Sequence, residues 1–266
     1  MSACSVAAFE RRDFHAPAAL SDRRLELLDA VDDPDHLCDA YESSAPIAAA
    51  VGRFDEARQL AKLHEDLARR LSPHHRVRAI SLVLELGDVL GDWATVAAQT
   101  ERVWNAVAAN LATPCVRNPR GLLLCAVAQL CEGDEPRAAE LERDADRIGG
   151  TGYDSYLSGP RLRIALERGD RSSAAELLQL PVERGFVRGA GAMAARLDAL
   201  AFGRFDLVER EAPVFVRPGL VLEPFALRAL GVARGDDELL QQADDRFAAL
   251  GFEWHRALTP RLVAGV

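Results

Sequence analysis

The densest run of residues able to do chemistry is Arg69, Arg70, His74, His75, Arg76 and Arg78, and a second basic stretch holds Arg117, Asn118 and Arg120. A guanidinium presents a planar fork of donors that matches a carboxylate or a phosphate. If corresponding loops of neighbouring repeat units align, Arg70, His74, His75, Arg76, Arg117, Asn118 and Arg120 form one rim. Such a rim suits a carboxylate, a phosphate or an acidic partner. The plainer reading comes first, with solvated loops in which Pro73 and Pro119 punctuate helices; the binding rim is the second. The adjacent histidines suggest a metal, but no third ligand can be named, so neither a metal nor a cofactor is expected.

Four other constellations are weaker. Gly189-Ala190-Gly191-Ala192-Met193-Ala194 matches the glycine pattern of a dinucleotide site, but Val182 to Arg188 makes a poor preceding strand. A loop leading into a helix is expected there. Asp32-Asp33-Pro34-Asp35 resembles an acidic metal motif, yet His36 stands at the fifth position, so a turn with a helix cap is expected. His64-Glu65 lacks the second histidine of a zinc protease motif, because residue 68 is Ala. His64 also falls on an apolar stripe and reads as a satisfied core histidine. Cys125 and Cys131 lie on an apolar helix and read as buried thiols.

The elements that would position these residues announce themselves by repetition. A Gly, then Asp or Arg, then a helix start recurs at Gly52, Gly91, Gly133, Gly169, Gly203 and Gly235, with spacings of 39, 42, 36, 34 and 32 residues. Gly can end a helix in the left-handed conformation, and the following acid can cap the next helix. A small residue five positions after the Gly would let helices approach closely. Ala57, Ala138 and Ala174 fit; Val96, Val208 and Leu240 are looser. Trp93, Val96, Ala97, Thr100, Val103, Trp104 and Val107 mark one helical face. The helix over Val77 to Leu90 reads as apolar nearly all round, as a helix between neighbours would.

These signals predict an all-α protein, a right-handed α-solenoid of about six antiparallel, tetratricopeptide-like helix pairs. The pairs fall at about 36–71, 74–110, 119–148, 156–180, 190–211 and 220–250. A preceding helix is expected from Ser21, acting as N-cap, to Val31, and a terminal one over Trp254 to Val263. Residues 1–20 read as an N-terminal arm and 21–266 as the repeat domain, with weak seams at 181–191 and 213–219.

The charge of −9 argues against nucleic acid as a direct partner. Of the 32 basic residues all but Lys62 are Arg, a bias attributable to codon usage. Five cysteines without a CxxC spacing indicate neither a zinc knuckle nor a disulfide framework, so a cytoplasmic location is expected. No apolar run approaches the roughly 20 residues of a membrane span, and the N-terminus shows no signal peptide.

Several phrases carry a resemblance. They are Arg53-Phe54-Asp55-Glu56-Ala57-Arg58, Leu71-Ser72-Pro73-His74-His75-Arg76-Val77 and the stretch from Asn110 to Arg120. Leu222 to Gly231 and Leu250-Gly251-Phe252-Glu253-Trp254-His255 complete the set. Over roughly 35–260 the chain resembles the tetratricopeptide-like C-terminal repeat region of large actinobacterial signalling regulators. In those, the repeats follow an ATPase module, sometimes with a nucleotide cyclase or a LuxR-type DNA-binding domain. None of those modules is evident in this sequence. The resemblance implies a sensory or docking portion.

The expected function is a non-enzymatic module for signalling or transcriptional regulation. It would hold a protein or peptide segment, acidic if the rim is used, or a small effector, in a groove along successive inner helices. An enzyme with an unfamiliar active site in that groove is the alternative. A self-association module is another, with Trp254, Leu258 and Leu262 as cap or homodimer contact.

Overall fold

The computed structural model describes residues 15–180 and 186–264, which hold fifteen α-helices, two short 3-10 turns and no strand. Among them no helix is long and apolar enough to cross a membrane. The helices are α1 (Ala16–Leu25), α2 (Pro34–Ala50), α3 (Phe54–Ala68), α4 (Pro73–Leu90), α5 (Trp93–Ala98), α6 (Thr100–Ala109), α7 (Arg117–Cys131) and α8 (Glu135–Ile148). Then follow α9 (Asp154–Glu167), α10 (Arg171–Leu177), α11 (Phe186–Ala201), α12 (Phe205–Glu211), α13 (Glu223–Arg234), α14 (Asp237–Leu250) and α15 (Glu253–Ala264).

The recurring turn behaves as its chemistry demands. All six repeat glycines have positive φ; Gly91, at 70°, sits where a side chain would be strained. The residue after each of five of them closes the turn on the carbonyl five residues back, as when Asp92 N–H donates to the Gly87 carbonyl at 2.9 Å and Asp236 N–H to that of Gly231 at 2.9 Å. The same aspartates then cap the next helix: Asp92 accepts from Thr95 N–H and Asp134 from Arg137 N–H. Where Arg replaces Asp, at Arg53 and Arg204, no side-chain cap forms.

The looser positions in the pattern are compensated by the partner helix. Val96 and Leu240 lie against glycines nine residues earlier, Gly87 and Gly231, at each of which a Cβ would clash; at Gly231 it would stand 2.8 Å from Leu240. The small residue has moved across the helix pair.

Three expectations at the edges are corrected. Ser21 is not an N-cap: the first helix starts at Ala16 and Ser21 is buried within it, so residues 16–20 belong to the helical body. Residues 1–14 of the expected arm and 181–185 of the expected seam lie outside the described residues. The expected helix over Trp93–Val107 is broken at Gln99, because the Ala97 carbonyl is taken by the Thr100 hydroxyl at 2.7 Å and by the Gln129 amide at 3.4 Å.

The first helix of each pair packs on the first helix of the next: α2 on α4, α4 on α7, α7 on α9, α9 on α11 and α11 on α13. Helix α11 also packs on α2 and α4, which makes it the central helix. Its glycine-rich start suits that place. Gly191 meets Asp88 so closely that a Cβ would clash, and a Cβ at Gly159 would stand 2.7 Å from that of Ala192. The Gly189–Ala194 phrase is thus helical rather than a loop, and it serves close packing. The C-terminal segments close on the early ones. Val221 N–H donates to the Ala50 carbonyl at 3.0 Å, the Phe252 and Phe54 rings meet at a tilt at 5.5 Å, and the Trp254 and Trp93 rings meet edge-on at 5.4 Å.

Candidate functional site

Two charged regions emerge from this arrangement, one interior and one at the surface. The interior one is a chain of opposite charges linking successive central helices. Arg120 on α7 grips both oxygens of Glu85 on α4, at 2.6 and 3.0 Å, and donates to the Tyr156 carbonyl. Asp198 on α11 is shared by Arg163 of α9 and Arg228 of α13, each at 2.7 Å. Arg228 also donates to the His255 carbonyl, and the His255 ring meets the Val89 carbonyl at 3.1 Å. Asp88 lies 3.8 Å from Arg163 and, by burial, has its carboxyl raised to about 6. Burial and the neighbouring Arg163 and Arg228 hold the His255 ring neutral, well below its ordinary range. The helix over Val77 to Leu90 is therefore not apolar all round: Glu85 and Asp88 point into this ladder.

A second buried knot ties α2 to α3, α4 and α7. Glu42 is clamped by Arg78 and Arg117. Burial raises its pKa, but Arg117 and Arg78 outweigh that and leave it below the usual carboxylate range. His64 beside it is fully buried, as its stripe predicts, but neither ring nitrogen has a hydrogen-bond partner among the described residues. Burial first, then Arg78 and Arg117, lower its pKa to about 4.

At the surface, a cleft of about 640 Å3 opens between α3 and α6 over the first turns of α4. Ala68, Ala79 and Ile80 line its floor, and Arg69, Arg76, Arg102, Asn105 and Glu65 its walls. Three guanidiniums thus face one carboxylate. Glu65 accepts from Arg69 at 2.9 Å and from Arg102 at 2.5 Å, while Arg76 forms no ion pair among the described residues.

The structure divides the residues expected to form one basic rim. Arg76 lines the cleft, and Arg70 is exposed just beyond α3. His75 is engaged by Asp35 at 3.2 Å and Ser72 at 2.8 Å. His74 is half-buried, with burial and then the charges of Arg78 and Arg117 lowering its pKa. Arg117 is held by Glu42, Asn118 is buried and accepts from Asn110 at 3.1 Å, and Arg120 is in the interior. These three sit on the first turn of α7, which faces α4, and so do not join the others at the surface.

The residues that complete the cleft, Glu65, Arg102 and Asn105, escaped the sequence reading. A signal existed: Glu65 and Arg102 are opposite charges 37 residues apart on consecutive outer helices, and Glu101 with Arg137 repeats the pattern at 36.

The remaining candidates take structural places. Asp33 caps α2, accepting from Asp35 N–H at 2.9 Å. Cys125 is buried, its thiol pushed up to about 12 by burial. Among the described residues no three His, Cys, Asp or Glu side chains converge as a metal site. In comparisons with family models, curated proteins and solved structures, nothing matches this chain.

Proposed function

We propose that this chain is a non-enzymatic binding module of cytoplasmic signalling or transcriptional regulation. In this reading it is a tetratricopeptide-like, right-handed α-solenoid whose C-terminal segments close on its early helices, and its ligand is an acidic protein segment. One observation carries the reading: three arginines against a single carboxylate over an apolar floor, on a chain of net charge −9. Such a local reversal of charge favours an anionic partner and steers it to one place. The volume of the cleft suits a few side chains. The non-enzymatic part is supported by the placement of three strongly perturbed groups: His64, Asp88 and His255 are sealed from solvent. The space along the inner helices is taken by α11 and the charge ladder, so the ligand sits between outer helices instead.

The test is fluorescence anisotropy with a labelled acidic peptide, comparing the native chain with Arg76→Glu/Arg102→Glu. The double variant should bind at least about tenfold more weakly, with the loss shrinking as salt rises. Equal binding by both proteins, or a preference for a polylysine peptide, would exclude the cleft as the site.

A further inference from the structure

Glu65 occupies the place in the cleft where a ligand carboxylate would be expected. One of its oxygens accepts from Arg69 at 2.9 Å and also from Arg102 at 2.5 Å, and its side chain is only 16% exposed. The Arg69 contact is local, four residues along the same helix, and Asp66 backs it at 3.8 Å. The Arg102 contact is different in kind. It spans from α3 to α6 and joins two consecutive outer helices across the cleft. Burial raises the Glu65 pKa, but the hydrogen bonds and charges of the two arginines outweigh it, so the group is ionised at neutral pH. Arg102 keeps one arm on Gln99 at 3.3 Å.

We propose that Glu65 is a resident counter-ion that an acidic ligand displaces from Arg102, so that this one carboxylate sets the affinity of the cleft. The inference rests on the reading of the cleft as a site for an acidic segment. An arriving carboxylate first meets Arg76, which has no ion pair among the described residues. It then exchanges with Glu65 on Arg102. Trading one carboxylate for another on the same guanidinium gains little, so the resident acid lowers affinity without closing the site. It also shields the arginines from weak anions: a ligand with a single charge gains only Arg76, whereas one with several acidic groups gains Arg76 and wins the exchange. Glu65 would thereby act as a selectivity filter for multiply acidic segments.

Glu65→Gln removes the charge but keeps the size and one acceptor oxygen. The measurement is the affinity of a labelled hexaglutamate peptide for the native chain and the variant, at two salt concentrations, with thermal melts alongside. The expected result is about a fivefold gain in affinity for the variant and a steeper salt dependence. Binding by the variant alone would support the same conclusion, with the native affinity lowered below detection. A purely structural bridge predicts the opposite, a lower melting point with unchanged or weaker binding. That result, with the native chain still binding, would overturn the counter-ion proposal and leave the cleft as a site. Binding by neither protein would overturn both. Should the Gln variant fail to fold, Glu65→Ala answers the same question.

Discussion

Arginine does two opposite things in this molecule. In the interior, Arg120, Arg163 and Arg228 are almost wholly buried and are matched one for one by Glu85, Asp88 and Asp198. At the surface, Arg69, Arg76 and Arg102 line a cleft with one acid, Glu65, which pairs with Arg69 and Arg102 while Asp66 backs Arg69 at 3.8 Å. Water decides between the two arrangements. A buried guanidinium without a carboxylate costs several kcal/mol, so the interior tolerates no surplus charge; an exposed one is hydrated and can wait for a partner. In the ladder the charges are balanced and structural; at the cleft Arg76 is left without an acid among the described residues and is free to bind.

That contrast can be broken from either side. The largest effect is expected from Asp198→Ala, which leaves two buried arginines facing each other. Unfolding by urea should show a loss of about 3–5 kcal/mol. Arg120→Met alone strands Glu85 and should cost a similar amount, about 3 kcal/mol, but Glu85→Leu/Arg120→Met should recover most of it, since an apolar pair of like volume replaces a buried ion pair without penalty. A double variant no more stable than the single one would mean that the ladder is held by more than charge balance.

Acid titration sharpens the same point. The Asp88 carboxyl is raised by burial to about 6, so the folded state binds its proton more tightly than the unfolded chain does. Its contribution to stability is therefore full below about pH 4 and is lost as pH rises through about 6. His64, lowered to about 4, works the other way: its contribution grows as pH rises from about 4 towards 6.5. Asp88→Asn removes the first term, so stability measured from pH 4 to 6 should climb more steeply than in the native chain. The smallest effect belongs to the surface: Arg76→Glu should change unfolding stability by less than about 0.5 kcal/mol while weakening peptide binding. A large loss of stability there would erase the distinction between the two regions.

Local chemistry in the sequence foretold the turns and the helix pairs. The glycine that must take positive φ, the aspartate that caps and the face repeating every three to four residues are all short-range requirements, and the helices end close to where those signals place them. Long-range partnership was not legible in the same way. Helical periodicity tells that Arg120 lies on the first turn of an inner helix, but not that Glu85 waits one helix away. Glu85 and Asp88 interrupt an apolar helix, and such an interruption is itself a sign of a buried partner. The partner's distance is also recorded: Glu85 to Arg120 and Arg163 to Asp198 are both 35 residues, about one repeat. The cleft was half legible, through Arg76 but not Glu65 or Arg102, because it is built between outer helices whose polar faces look solvated when each is read alone.

The closure of the C-terminal segments on the early helices has a kinetic consequence. Open stacks of repeats fold from any point, because every contact is with a neighbour in the chain. Here the His255 ring must reach the Val89 carbonyl, 166 residues away, and Trp254 must reach Trp93, before the interior is sealed. Such distant closure raises contact order and should slow folding relative to an open stack of the same helices. It also ties the spacing of the helices between them to one joint: helices added or removed between Val89 and His255 would have to leave that contact in place.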